Sequence, residues 1–275
     1  MIVALWGPEK SWKTSMALTF PKPIYHFDLD VGGFDRAAWR IDLTDIISKP
    51  YPTPIQMEKL LGQQKTGISV KFPKKIIGIK EVWQQIVLDF VAAVQRPELQ
   101  TVVIDSATQL WTIDHRSYLQ EAQERQVFKY THDKDGKPIN GRTEENFPEN
   151  DYRERLQPIE YAEPNDRMRT LIYTARSYQK NLVLTHYPRD IYASKVTEKG
   201  IEEYKTGDIE PDGFKDTQKL VDIVIWIEQD KKDNSINAKI TKCGLEGLGT
   251  VAVNLFLPTP SYQGIIDLQK SMRGE

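Results

Sequence analysis

A single cysteine, Cys243, stands in the 275 residues, which excludes an intrachain disulfide and points to a reducing compartment. Apart from that thiol there are four scattered histidines, His26, His115, His132 and His186, and no spacing approaches that of a structural zinc site. Long apolar runs are missing too. The longest uncharged stretch, Gly247 to Ile266, is broken by Gly249, Asn254, Pro258, Pro260 and Gly264, so it does not read as a membrane span. The opening Ile2-Val3-Ala4-Leu5-Trp6 is too short for a secretory leader and no basic segment precedes it. Excess charge of one sign is also absent. The 37 Lys and Arg against 39 Asp and Glu leave a net charge of −2, so no global field would draw the chain to nucleic acid or to an anionic membrane. The expectation is a soluble, cytoplasmic protein without a membrane partner.

Charged residues make up 28% and hydrophobic ones 39%, which fits a globular chain and excludes a disordered one. Short β-branched runs alternate with longer helical patterns, and this rhythm predicts a mainly parallel sheet covered by helices. Strands are expected at Ile2–Trp6, Pro23–Asp28, Thr101–Asp105, Asn181–Thr185, Asp222–Ile227, Ile236–Thr241 and Thr250–Phe256, the last ones antiparallel. Helices are expected at Lys13–Phe20, Glu81–Val94 and Asn165–Gln179; Val82, Ile86, Phe90 and Val94 mark an i, i+4 apolar face.

Three stretches lack this rhythm and read as polar surface insertions on one 1–275 domain, near 45–80, 114–160 and 187–219. Lys49–Lys80 carries seven lysines against one glutamate, with Tyr51 and Phe72 available to stack on unpaired bases. Tyr187–Lys219 has six basic and eight acidic residues, a poorer electrostatic match to DNA. His132-Asp133-Lys134-Asp135-Gly136-Lys137 lacks the ligand order of a calcium loop and reads as a turn. Gly244-Leu245-Glu246-Gly247-Leu248-Gly249 lacks the dinucleotide spacing.

The chemistry begins after the first strand. Gly7-Pro8-Glu9-Lys10-Ser11-Trp12-Lys13-Thr14 matches the phosphate-binding G-x-x-x-x-G-K-[ST] loop except that Trp12 replaces the second glycine. It lies between a hydrophobic strand and a helix that starts at Ser15, where main-chain N–H groups converge on an anion. In that geometry Lys13 neutralises the β- and γ-phosphates and Thr14 offers its hydroxyl to Mg²⁺. Trp12 either crowds the phosphate, forces another backbone conformation, or packs over the base or ribose. Thr101-Val102-Val103-Ile104-Asp105 ends in a carboxylate suited to hold a magnesium-bound water. Asp28-Leu29-Asp30-Val31-Gly32-Gly33 opens onto the same crevice, with one of its carboxylates placed to orient an attacking water and Asp28 the better candidate for a strand cap.

The order of these motifs, followed by a strand ending in His186, resembles the phage-encoded RecA-like P-loop ATPases, which include single-strand-annealing recombinases. The resemblance covers about Ile2 to Ile227. It implies that Gly7, Lys13 and Thr14 bind ATP, that Thr14 and Asp105 serve Mg²⁺, that Asp30 takes the place of the catalytic glutamate one methylene short, and that His186 senses the γ-phosphate. A histidine satisfied inside the core is the alternative for His186. The resemblance further implies a homo-oligomer, ring or filament, in which Arg189, Lys215 or Lys219 acts as a cation in trans. It also implies single-stranded DNA bound by Lys71, Lys74 and Lys75 or by the 187–219 loop, in a phage-infected bacterial host. Two other readings stay open: a nucleotide-binding module without turnover, and a small-molecule P-loop kinase. A RecA-like sheet interposes another strand between that of the P-loop and that of Asp105, whereas many kinases do not.

Overall fold

The computed structural model describes residues 1–30, 32–52, 74–197 and 200–274. These residues gather into two compact units, the first made of Met1–Pro50, Phe90–Leu110 and Met168–Glu275, the second of Tyr51–Asp89 and Trp111–Arg167.

The first unit is built on a seven-stranded sheet in the order β3-β2-β4-β5-β1-β8-β9. Its strands are β1 (Ile2–Trp6), β2 (Ile24–Asp28), β3 (Ile46–Pro50), β4 (Thr101–Asp105), β5 (Asn181–His186), β8 (Ile223–Gln229) and β9 (Ile236–Cys243). All neighbours run parallel except β8 and β9. The mainly parallel, helix-flanked sheet expected from the sequence is therefore present, and β5 separates β1 from β4. Every residue of β1 and β4 is buried, as in a sheet covered on both faces. The alternation still sorts the side chains. Val3, Leu5, Val103, Val183, Ile223, Ile225 and Ile227 share one core with Met16, Leu18 and Phe20, while Ala4, Trp6 and Val224 cluster separately.

The helices are α1 (Lys13–Ala17), α2 (Gly33–Ala37), α3 (Ile79–Gln95), α4 (Ala107–Thr131), α5 (Ala162–Ser177), α6 (Thr217–Leu220) and α7 (Tyr262–Arg273). Three of them lie within a few residues of the segments expected to be helical. The chain of 187–219 forms a two-stranded antiparallel ribbon, β6 (Pro188–Thr197) with β7 (Gly200–Pro211). The strand expected at Thr250–Phe256 is absent. Gly249–Ala252 is a 3₁₀ turn and Asn254 adopts φ 73°, so the chain runs beside β9 only through irregular bonds such as Leu257 N to Ala238 O at 2.8 Å.

In the second unit the side chains of α4 hold down the segment that enters α3. Gln123 accepts from Ile76 N at 2.8 Å and donates to Lys74 O at 2.9 Å, and Gln120 accepts from Ile79 N and Lys80 N, both at 3.0 Å. Asp133 Oδ1 accepts from Asp135 N and Lys137 N, each at 2.9 Å, the turn expected there.

Candidate functional site

The loop leaving β1 is shaped by one glycine and one residue standing where a glycine was expected. A Cβ on Gly7 would lie 2.0 Å from the Ile227 carbonyl oxygen, so the close approach of this loop to β8 demands glycine. Trp12 precedes α1 at φ 72°, ψ 13°, the left-handed conformation that glycine adopts freely and that costs another residue about 1–2 kcal/mol. The loop thus keeps a glycine-like backbone despite the indole. The Trp12 ring lies against Arg40, whose guanidinium carbon is 4.1 Å from the ring centroid, and packs partly against the main core.

The amides of residues 9–15 have no protein acceptor among the described residues. Lys13 folds back over the loop, with Nζ 2.9 Å from Gly7 O and 2.5 Å from Pro8 O, and Ser11 Oγ donates to Pro8 O at 2.8 Å. Burial pushes the Lys13 ammonium down to about 8, against Asp105, Asp30 and Glu9, which favour its charge.

β4 delivers Asp105 to the other side. It is buried and accepts from Thr14 Oγ1 at 2.5 Å and from Thr185 Oγ1, and His26 Nε2 lies 3.6 Å from Oδ2. Burial disfavours the Asp105 charge, but His26, Thr14 and Thr185 outweigh it and hold the carboxyl below its ordinary range. The peptide from Asp105 to Ser106 is cis. His26 is fully buried and its Nδ1 sits 2.8 Å from Ser48 Oγ on β3. Gly33 closes this corner, since a Cβ there would meet Thr14 Oγ1 at 3.0 Å and Asp105 Oδ2 at 3.2 Å.

Around these groups opens a cavity of about 290 Å³, lined by Lys10 to Ser15, Asp30, Gly33, Arg36, Arg40, Asp105, Tyr187 and Gln229. Lys13, Thr14, Asp30 and Asp105, singled out from the sequence, come together here. Asp30 accepts the Tyr187 hydroxyl, and the Tyr187 ring lies 4.8 Å beneath Lys13 Nζ. Asp28 does not reach the cavity; burial pushes its carboxyl up, ahead of the opposing pull of His26.

His186 is not where a phosphate sensor was expected. Its ring is buried, Nδ1 pairs with Asp212 O at 2.8 Å, and burial pushes its pKa down to about 4. The reason is the pleat: Thr185 and Tyr187 turn to the site from either side of it, so His186 faces the opposite way. His26, Thr185, Tyr187, Arg36 and Arg40 are the site neighbours that no motif reveals.

Of the residues expected to supply a cation in trans, Arg189 pairs with Glu210 at 2.6 Å and Lys219 with Asp216 at 2.9 Å, while Lys215 lines a separate surface hollow with Pro188 and Tyr192. Of the lysines expected to contact single-stranded DNA, Lys71 lies outside the described residues, Lys74 pairs with Glu154 at 2.6 Å and Lys75 with Glu144 at 2.5 Å.

The group with the best claim on Mg²⁺ is Thr14 with Asp105. A hydroxyl and a carboxylate are hard oxygen donors, and a Cβ on Gly33 would fill the space beside them. Among the described residues no cluster of three or more His, Cys, Asp or Glu is disposed to hold a metal.

No family model and no curated protein matches this chain. Among solved structures, the chain is similar to a KaiC-like protein from the hyperthermophilic archaeon Pyrococcus horikoshii OT3, with 11% identity over 94% of this chain and 86% of that one and a TM-score of 0.44. No helix among the described residues is long and apolar enough to cross a membrane.

Proposed function

We propose that this chain is a P-loop nucleotide-binding protein that takes Mg-ATP into the cavity between the Gly7–Ser15 loop and Asp105 and turns it over slowly. The observation that carries the reading is the convergence of Thr14, from the loop after β1, and Asp105, from the end of β4, at 2.5 Å inside a cavity that also holds Lys13. A hydroxyl, a buried carboxylate and a buried ammonium within one loop-lined hollow is the donor set a magnesium-bound triphosphate requires. Its RecA-like character is supported by β5 standing between β1 and β4, which disfavours the small-molecule kinase.

In this reading Lys13 leaves the Gly7 and Pro8 carbonyls for the β- and γ-phosphates, and the loop amides bind the same oxygens. Thr14 and Asp105 would hold Mg²⁺, which when bound offsets charge on the phosphates. Asp30 orients the attacking water. Its hydrogen bond from Tyr187 aims that carboxylate, but its side chain is one methylene shorter than a glutamate and reaches less far toward the water, which favours slow turnover and keeps the binding module without turnover as the second reading. A role in annealing single strands rests on the resemblance alone, and the engagement of Lys74 and Lys75 with glutamates weighs against those two as its contacts.

The test is equilibrium binding and turnover of Mg-ATP by the wild type, Lys13→Ala and Asp30→Asn, with and without single-stranded DNA. Binding lost in Lys13→Ala and retained in Asp30→Asn, with turnover lost in both, is expected. Wild-type protein that binds no nucleotide would refute the reading.

A further inference from the structure

A triphosphate carries more negative charge than one lysine offsets, and the expected source of the missing cation is a neighbouring subunit. Within the first unit, however, two guanidinium groups already line the cavity. Arg36 is on α2, and Arg40 follows one helical turn later, with Ala37 O accepting Arg40 N at 2.9 Å. Both are exposed, so neither head has been stripped of water in advance. Arg40 is held in place by a specific platform, the Trp12 indole, 4.1 Å from its guanidinium carbon. Guanidinium is the cation that stacks on an aromatic face while keeping its N–H fork for an anion.

The identity of Trp12 then acquires a reason. Its backbone is left-handed, an unfavourable conformation for a bulky residue, and glycine would meet the same geometry without strain. What glycine cannot do is aim Arg40. We infer that Arg40, positioned by Trp12, is this site's own γ-phosphate cation, acting in cis with Arg36 beside it. The inference rests on the nucleotide reading above and replaces the cation in trans. It fits the placement of Arg189 and Lys219 in ion pairs of their own strands and helix.

The experiment compares fluorescent ATP and ADP analogues binding, with Mg²⁺, to the full-length wild type, Arg40→Ala, Trp12→Gly, Trp12→Phe and the Trp12→Gly/Arg40→Ala double variant, with thermal unfolding as the folding control. Because the contact is to the γ-phosphate, Arg40→Ala should lose at least about tenfold in ATP affinity and little in ADP affinity, the scale of a charge-assisted hydrogen bond. Trp12→Gly should show the same selective loss, with no further loss in the double variant, and Trp12→Phe should retain most of the selectivity because a ring face remains. Excess Lys13→Ala chains, whose Arg40 is intact, should not restore ATP affinity to Arg40→Ala. Restoration by those chains, or an Arg40→Ala protein with wild-type ATP-to-ADP selectivity, would overturn the inference while leaving nucleotide binding intact. A wild type that binds neither analogue would remove the nucleotide reading and this inference together.

Discussion

Tyr187 donates its hydroxyl to Asp30, tying the residue after β5 to the turn after β2. Burial, and then the hydrogen bond to Asp30, push the phenol well above its ordinary range, so it remains a donor at any working pH. In the proposed reaction Asp30 orients the attacking water, and this bond fixes its aim. Tyr187→Phe keeps the ring under Lys13 and removes only the hydroxyl. ATP affinity should stay within about twofold while kcat falls about tenfold, the scale of a misaimed catalytic group. Single-turnover and steady-state assays on the variant check this.

Gly33 gives a sharper probe of the proposed Mg²⁺ corner. A Cβ there meets Thr14 Oγ1 and Asp105 Oδ2 at 3.0 and 3.2 Å, tight enough to press on both donors while leaving the loop amides untouched. Gly33→Ala should raise the Mg²⁺ concentration needed for half-maximal ATP binding by about tenfold, an expectation scaled to the loss of supporting contacts at a metal site. Nucleotide affinity without Mg²⁺ should barely change. Magnesium titrations at fixed nucleotide distinguish the two effects.

The parts of this site legible in the sequence are those encoded locally. Gly7, Lys13 and Thr14 lie in one loop motif set between a strand and a helix, and Asp105 ends an apolar run that gains meaning beside that loop, so motif and local context together point to them. His26 and Thr185 carry no such signal. They meet Asp105 because β2 and β5 flank β4, a fact of strand order. Trp12 was legible as a departure but not as a conformation, since one positive φ leaves no trace in periodicity. The helix α4 escaped because Asp114, Arg116, Glu121, Glu124 and Arg125 interrupt any apolar stripe, and its polar side chains serve instead to bind backbone, as Gln120 and Gln123 do. The false strand at Thr250–Phe256 had the β-branched composition but also Gly247, Gly249 and Asn254, and left-handed backbone at all three broke it.

His186 makes a prediction about stability rather than catalysis. Burial lowers its folded-state pKa to about 4, from an ordinary value of 6.5. The unfolded chain therefore takes up a proton that the folded chain refuses, so stability is complete above pH 6.5 and is lost as pH falls toward 4. Between pH 6.5 and 5 the loss should be about 2 kcal/mol. His186→Gln should lower stability at pH 7 by removing the imidazole from its Asp212 contact, yet flatten this acid slope. Denaturant unfolding at pH 7 and pH 5 for both proteins reads the difference, and an unchanged slope in the variant would assign the acid sensitivity elsewhere.

Lys13 acts in the same direction, but at higher pH. Its folded-state pKa is lowered from 10.5 to about 8, chiefly by burial, so the unfolded chain holds this proton more tightly and the unliganded protein gains stability as pH rises from about 8 to 10.5. Binding has the reverse requirement, because only the ammonium attracts phosphate. ATP affinity should be flat below pH 8 and then fall by about tenfold per pH unit, as each unit of deprotonation must be reversed on binding. Lys13→Arg carries a guanidinium that stays protonated throughout, so whatever affinity it retains should show no step near pH 8. Binding isotherms from pH 6.5 to 9.5 test this, and a step that survives in Lys13→Arg would assign the titrating group elsewhere than Lys13.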